Sequence, residues 1–221
     1  MGKNKLLKFS ELNSLSNTIQ PKEKELLSDN FYLKDNWNKE FDNNNPIVLE
    51  LGCGKGEYTI ALAQNNSHKN YIGIDIKGAR IWKGATISQK NNLKNVRFLR
   101  TQIEFLDKCF SNQEVSEIWI TFPDPHIKYR RRKKRLVSPF MLGLYQKVMI
   151  KNALIHLKTD SEFLHGYTLG LLEKKNAEII KSTHDLYNSN IEDEILKVKT
   201  FYESMFLRKN KAITYICFKF I

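Results

Sequence analysis

The chain has 221 residues, 41% hydrophobic and 27% charged, with a net charge of +12. This fits one globular domain with a sizeable core, and the charge favours polyanionic partners. No stretch approaches the roughly 18–20 apolar residues of a spanning helix, and MGKNKLLKF has too little apolar length for a signal peptide.

In chain order, residues 1–45 read as a polar, irregular N-terminal extension, partly flexible, with Trp37 and Phe41 as anchors. Lys3, Lys5 and Lys8 could add cationic contacts from it. The turn Asp42 to Pro46 closes this segment. From residue 46 a βα alternation is expected to run to residue 221. Strands are predicted over 47–51, 71–74, 96–99, 118–122 and 153–157, with 177–181 and 213–220 finishing the sheet. Helices are predicted over 58–64, 79–91, 104–110 and from Pro139 to about 149. A last helix carries Phe163, Leu164, Tyr167, Leu171 and Leu172 on one face. The pattern implies an α/β fold. Its sheet should be mostly parallel and seven-stranded, with helices on both faces, so its strands are apolar runs rather than alternating ones.

In such sheets ligands bind beyond the C-terminal strand ends. There the chain places Glu50 with Gly52-Cys53-Gly54-Lys55-Gly56, then Asp75, Thr101-Gln102, Asp124 and Thr159-Asp160. Glycines let the backbone turn tightly and approach a ligand. Asp75, about twenty residues on, stands where a carboxylate accepts from both ribose hydroxyls. Glycine-rich βα turns also serve dinucleotides, but this one is GxGxG rather than GxGxxG, and an acidic residue precedes it. Glu50 is hospitable to the sulfonium and amine of S-adenosylmethionine and poor for a pyrophosphate. It can also cap loop N–H groups, and both roles can hold together.

The most informative stretch is ITFPDPHIKYRRRKKR, residues 120–135. Two prolines end a strand and stiffen its exit around Asp124. Seven of the eight residues Lys128 to Arg135 are cationic. One carboxylate beside a cationic cluster suits a neutral, hydrogen-bonding base carried on a polyanion. Cys53, Cys109 and Cys217 lack CxxC spacing and point to a reducing compartment. The five histidines are scattered without ligand spacing, so no metal is expected. The chain is expected to be cytoplasmic, with no membrane partner, and either a monomer or a homodimer.

ELGCGKG, then GID, ITFPDP with its basic run, HLKTD, DLYNSN and TFYE together resemble the bacterial tRNA (guanine-N7-)-methyltransferase family. The resemblance covers nearly everything from residue 46. It implies a Rossmann-like class I methyltransferase fold with an antiparallel C-terminal strand. It also implies methylation of N7 of the guanosine at position 46 in the tRNA variable loop, with S-adenosylmethionine as donor and S-adenosylhomocysteine as product. Matched residue by residue, it implies cofactor contacts for Glu50, Gly52, Gly54, Asp75, Gln102 and Asp124, with Asp124 at the catalytic position. Lys128, Asp160, Thr200, Phe201, Tyr202 and Glu203 match substrate-binding positions. Arg130, Arg131, Arg132, Lys133, Lys134 and Arg135 match a segment implied to touch RNA. The chain departs from the family pattern at His126, usually Trp, and at Gln102, mostly Asp. Many members have Glu where Asp75 stands.

N7 of guanine has an in-plane lone pair and no proton, so its methylation needs no strong base. Asp124 could accept from the Watson–Crick edge or favour the positive charge growing on the ring. The target guanosine usually joins tertiary pairing, so its extrusion is expected. A methyltransferase for another acceptor and a non-catalytic RNA-binding protein are the alternatives.

Overall fold

The computed structural model describes residues 2–221, with side chains from residue 6 onward. Eight strands form one sheet: β1 (Thr18–Ile19), β2 (Ile47–Leu51), β3 (Asn70–Ile74), β4 (Val96–Leu99), β5 (Val115–Thr121), β6 (Met149–Thr159), β7 (Ala177–Thr183) and β8 (Thr214–Phe220), in the spatial order β1-β4-β3-β2-β5-β6-β8-β7. The pairs from β1 to β6 are parallel, and β8 runs antiparallel to both β6 and β7. The order reverses beside β2, which places the ends of β2 and β5 at the switch point where such sheets take ligands.

Along the chain the helices are α1 (Gly2–Leu12), α2 (Glu23–Leu27), α3 (Trp37–Phe41), α4 (Glu57–Asn65), α5 (Gly78–Lys90), α6 (Leu106–Cys109), α7 (Pro139–Val148), α8 (Glu162–Leu172) and α9 (Phe201–Leu207). Two apolar clusters form the core. One is built around Leu49, Ile118, Leu142 and Phe218, the other around Val48, Tyr58, Phe98 and Tyr215. β2 is buried along its whole length, as a strand covered on both faces must be.

The sheet has one strand more than the seven expected. β1 comes from the N-terminal segment and pairs Thr18 with Phe98 and Ile19 with Leu99. Buried Asn17 fixes it, donating to the Ala85 carbonyl at 3.0 Å and the Ser88 hydroxyl at 2.7 Å on α5. Two residues carry no periodicity, so nothing local announces this strand. Further along, Trp37 stacks on Phe110 at 5.2 Å and donates to the Cys109 carbonyl at 3.0 Å. The side chains of Lys3 and Lys5 lie outside the described residues, and Lys8 sits over the Trp82 ring at 4.8 Å.

Candidate active site

The glycine loop leaves β2 with three left-handed residues, Gly52 at φ +77°, Gly54 at +55° and Gly56 at +69°. A side chain at Gly56 would also be driven into Phe98, 2.5 Å from an added Cβ. The N–H groups of Gly52 and Cys53 both donate to the Ile74 carbonyl, at 2.8 and 3.0 Å. Gly54 N–H donates to Asp75 Oδ2 at 3.0 Å, and Lys77 N–H to Asp75 Oδ1 at 2.8 Å. Asp75 thus ties the loop to the start of α5, while each oxygen keeps a lone pair for a ligand.

Glu50 lies beneath this loop, 3% exposed. Its Oε2 accepts from the Thr59 N–H at 2.7 Å and from the Thr59 hydroxyl, and its Oε1 accepts from the Thr121 hydroxyl at 2.7 Å. Burial pushes its carboxyl up to about 7, against the pull of these three donors. Its side chain therefore joins β2, α4 and the end of β5, and the N–H it caps belongs to the first turn of α4, whereas the loop N–H groups of Gly52, Cys53 and Gly54 go to Ile74 and Asp75.

Asp124 is its opposite, with 68% of its side chain in solvent. It follows β5 on a turn in which Phe122 and His126 both adopt left-handed conformations, φ +48° and +42°. Phe122 N–H donates to the Lys158 carbonyl at 2.8 Å, and its ring lies 6.0 Å from that of Phe206. Asp124 Oδ1 accepts from the His126 N–H at 3.0 Å. The cationic run then forms a 3-10 turn, Tyr129–Lys134, with Lys128, Arg130, Arg131, Lys133 and Lys134 exposed and Arg132 half-buried over the Tyr129 ring at 3.9 Å. Arg135 departs from the expectation for this run. It is 4% exposed and turned inward, so the RNA contact expected of it is not open to it in this arrangement.

The C-terminal elements approach from the other side. Thr200 and Glu203 form a capping box that starts α9. Phe201 N–H donates to the Glu57 carboxylate at 2.8 Å, and Lys55 lies 4.5 Å from the Phe201 ring centre. Glu203 is fully buried, 2.7 Å from the equally buried Lys158, and accepts from the Tyr187 hydroxyl at 2.6 Å. Lys158 also donates to the carbonyls of Leu196 and Val198 at 2.7 and 3.1 Å. Burial lowers the pKa of this lysine, and Glu203 works against that. Glu203 thus holds the first turn of α9 in place, and its own carboxylate is enclosed. Asp160 pairs with Lys211 at 3.2 Å.

A cavity of about 90 Å³ brings together Glu50, Gly52, Gly54, Thr200, Phe201 and Tyr202, with Lys55 and Arg80 also on its wall. Gln102, exposed at the start of the turn after β4, is not among its lining, nor are Asp75, Asp124, Lys128 and Asp160. Sequence reasoning missed Thr59, Thr121, Lys158 and Tyr187. A signal existed for one of them. A lysine inside the apolar strand ALIHLKT is a local conflict that calls for a buried carboxylate partner.

A family model described as a putative methyltransferase matches residues 44–216. A tRNA (guanine-N(7)-)-methyltransferase of Christiangramia forsetii is 53% identical over 98% of this chain and 98% of its own. Another, from Bacteroides fragilis, is 47% identical over 99% of this chain and 86% of its own. Among solved structures, the 16S rRNA methyltransferase KamB superimposes with a TM-score of 0.64 at 15% identity, over 84% of this chain and 93% of its own. A SAM dependent methyltransferase from Aquifex aeolicus gives 0.55 at 14%, over 96% and 98%. The two structural likenesses speak for the class I methyltransferase fold, and the two close relatives for the family. On full-length identity of this order, the chain belongs to the tRNA (guanine-N7-)-methyltransferase family.

Proposed function

We propose that this chain transfers the methyl group of S-adenosylmethionine to N7 of a tRNA guanosine, the one at position 46 of the variable loop. One observation carries the reading: an exposed carboxylate, Asp124, lies in the chain between Thr121 and Phe122, which line the glycine-loop cavity, and an exposed cationic turn. The cofactor is a cation with a zwitterionic amino-acid end. The cavity lining carries carboxylates, Glu50 and Glu57, and cations, Lys55 and Arg80, as such a ligand requires. Asp75 stands at the end of β3 for the ribose, and Gln102 at the end of β4 can accept from an adenine amino group. The cavity is smaller than the roughly 300–1,000 Å³ of ligand pockets.

S-adenosylmethionine supplies an electrophilic methyl on a sulfonium. The protein's own task is to hold the guanine in line and to stabilise charge moving onto the purine. Asp124 serves by accepting from the Watson–Crick edge, by favouring the positive ring, or by both. Lys128, Arg130, Arg131, Lys133 and Lys134 give salt-sensitive, sequence-independent affinity for the tRNA backbone. Thr200, Phe201 and Tyr202 shape the wall facing the base, with Phe201 and Tyr202 51% and 44% exposed. Glu203 acts through them.

The test is to incubate the protein with methyl-labelled S-adenosylmethionine and unmodified tRNA, then cleave chemically at N7-methylguanosine. The reading expects label at the variable-loop guanosine, lost on Asp124→Ala. Label elsewhere in the tRNA would reject the position, and binding of both ligands without label would reject the chemistry. Among the described residues no helix is long and apolar enough to cross a membrane.

A further inference from the structure

Arg135 ends the cationic run but lies apart from its exposed face. Its Nε donates to the Pro125 carbonyl at 3.3 Å, and its Nη2 to the carbonyls of His126 and Ile127 at 3.1 and 3.4 Å. Its guanidinium carbon is 4.8 Å from the Phe163 ring centre and 4.3 Å from that of Tyr167, both on α8. One planar fork thus holds three consecutive carbonyls just after Asp124 and anchors them against two aromatic rings.

That turn requires holding. Phe122 and His126, two residues either side of Asp124, are both left-handed non-glycine residues. Such conformations are costly and persist only where their surroundings over-determine them. The segment also reaches the cofactor loop. The Leu136 Cδ1 lies 3.7 Å from where a Cβ on Gly52 would stand, and the Leu136 carbonyl accepts from the Tyr145 hydroxyl at 2.7 Å. Residues 135–136 therefore span from the Asp124 turn to the glycine loop.

We infer that Arg135 is a positioning residue, which clamps the carbonyls of Pro125, His126 and Ile127 and so fixes the Asp124 carboxylate relative to the glycine loop, instead of contacting RNA. The inference rests on Asp124 being the substrate-facing carboxylate of the proposed reaction. It divides the basic run into exposed cations that bind and one buried cation that aligns.

Two variants test it. Arg135→Lys keeps the charge and gives up the planar fork, and Arg135→Met gives up both. The clamp predicts that kcat at saturating tRNA falls at least about tenfold in each, as misplacement of a reacting group costs. It also predicts that the slope of log Kd for tRNA against log salt stays at the wild-type value. A lost phosphate contact would lower that slope by about 0.7–0.9, the change expected of Lys133→Ala. Loss of Asp124 by Asp124→Ala should cost less in the Arg135→Lys background than in the wild type, because the two residues act as one unit. Wild-type kcat in Arg135→Lys, or a lowered salt slope in Arg135→Met, overturns the clamp. If Arg135→Met does not fold, Arg135→Lys carries the test alone through its kcat and the double-variant comparison. Absence of any methylation by the wild type rejects the proposed reaction instead. The salt slope then still separates clamp from RNA contact, because it needs binding and no turnover.

Discussion

Glu50 and Asp124 stand at the ends of neighbouring parallel strands, β2 and β5, and are opposite in almost every physical respect. Glu50 is 3% exposed, and both its oxygens accept from threonines of the surrounding elements. Asp124 has 68% of its side chain in solvent and holds only the local turn. The same carboxyl chemistry therefore does two jobs. Enclosed among donors, it braces β2, α4 and the end of β5 beside the glycine loop. Exposed beyond the end of β5, it is left in solvent, where the proposed reaction would need it. The contrast extends to their surroundings: the glycine loop is fixed by backbone bonds to β3, whereas the cationic turn after β5 is held by the buried Arg135, and α9 by the buried Lys158–Glu203 pair.

The largest effect is expected at that pair. Glu203→Ala leaves Lys158 buried without its partner and should cost about 3–5 kcal/mol of stability, read by urea unfolding. Replacing both, by Lys158→Met with Glu203→Gln, should recover part of the loss. If Glu203→Ala instead unfolds at the wild-type midpoint, α9 is not anchored there. Next is Asp124→Ala, expected to slow single-turnover methyl transfer by about 10²–10³-fold, as removal of one preorganised electrostatic group does. Asp124→Asn sharpens it: an amide oxygen still accepts, so retained activity would favour positioning over charge stabilisation.

A pH effect of on the order of 3 kcal/mol is expected at Glu50, whose carboxyl is raised from 4.5 to about 7. Between these values the folded protein holds a proton that the unfolded chain has lost. The stabilisation is therefore complete below about 4.5 and is lost as pH rises through about 7. Thermal melts of the ligand-free protein from pH 5 to 8 should show it, and Glu50→Gln should flatten the slope. Some slope should remain. His156, for which burial works downward but is outweighed by Cys217 and Glu117, is also raised and acts in the same direction. The smallest effect is on the basic surface, where Lys133→Ala with Lys134→Ala should lower the salt slope of tRNA affinity by about 1–2. No change in slope would move the RNA path off this turn.

Much of this was legible in the sequence, for reasons that differ by region. The βα alternation and the glycine loop are local patterns, and their strands and helices lie where the apolar runs and breakers place them. The ITFPDP turn was equally clear, because prolines leave the chain few alternatives. β1 was not, because two residues have no period and Asn17 holds them through α5. The role of Arg135 was hidden among seven cations, since the sequence does not show which one a 3-10 turn directs inward. The Lys158–Glu203 pair joins β6 to α9, and only the fold brings those elements together.

The most direct test of the division between the two carboxylates is calorimetric titration of S-adenosylmethionine into the wild type, Glu50→Gln and Asp124→Asn at pH 8. The division predicts that Glu50→Gln loses at least about tenfold in affinity, as expected on losing a charge-assisted contact to a cation, while Asp124→Asn binds within about threefold of the wild type, a difference under 1 kcal/mol. The reverse pattern, with Asp124→Asn losing the cofactor and Glu50→Gln keeping it, would contradict the account and place the cofactor's charge against the exposed turn.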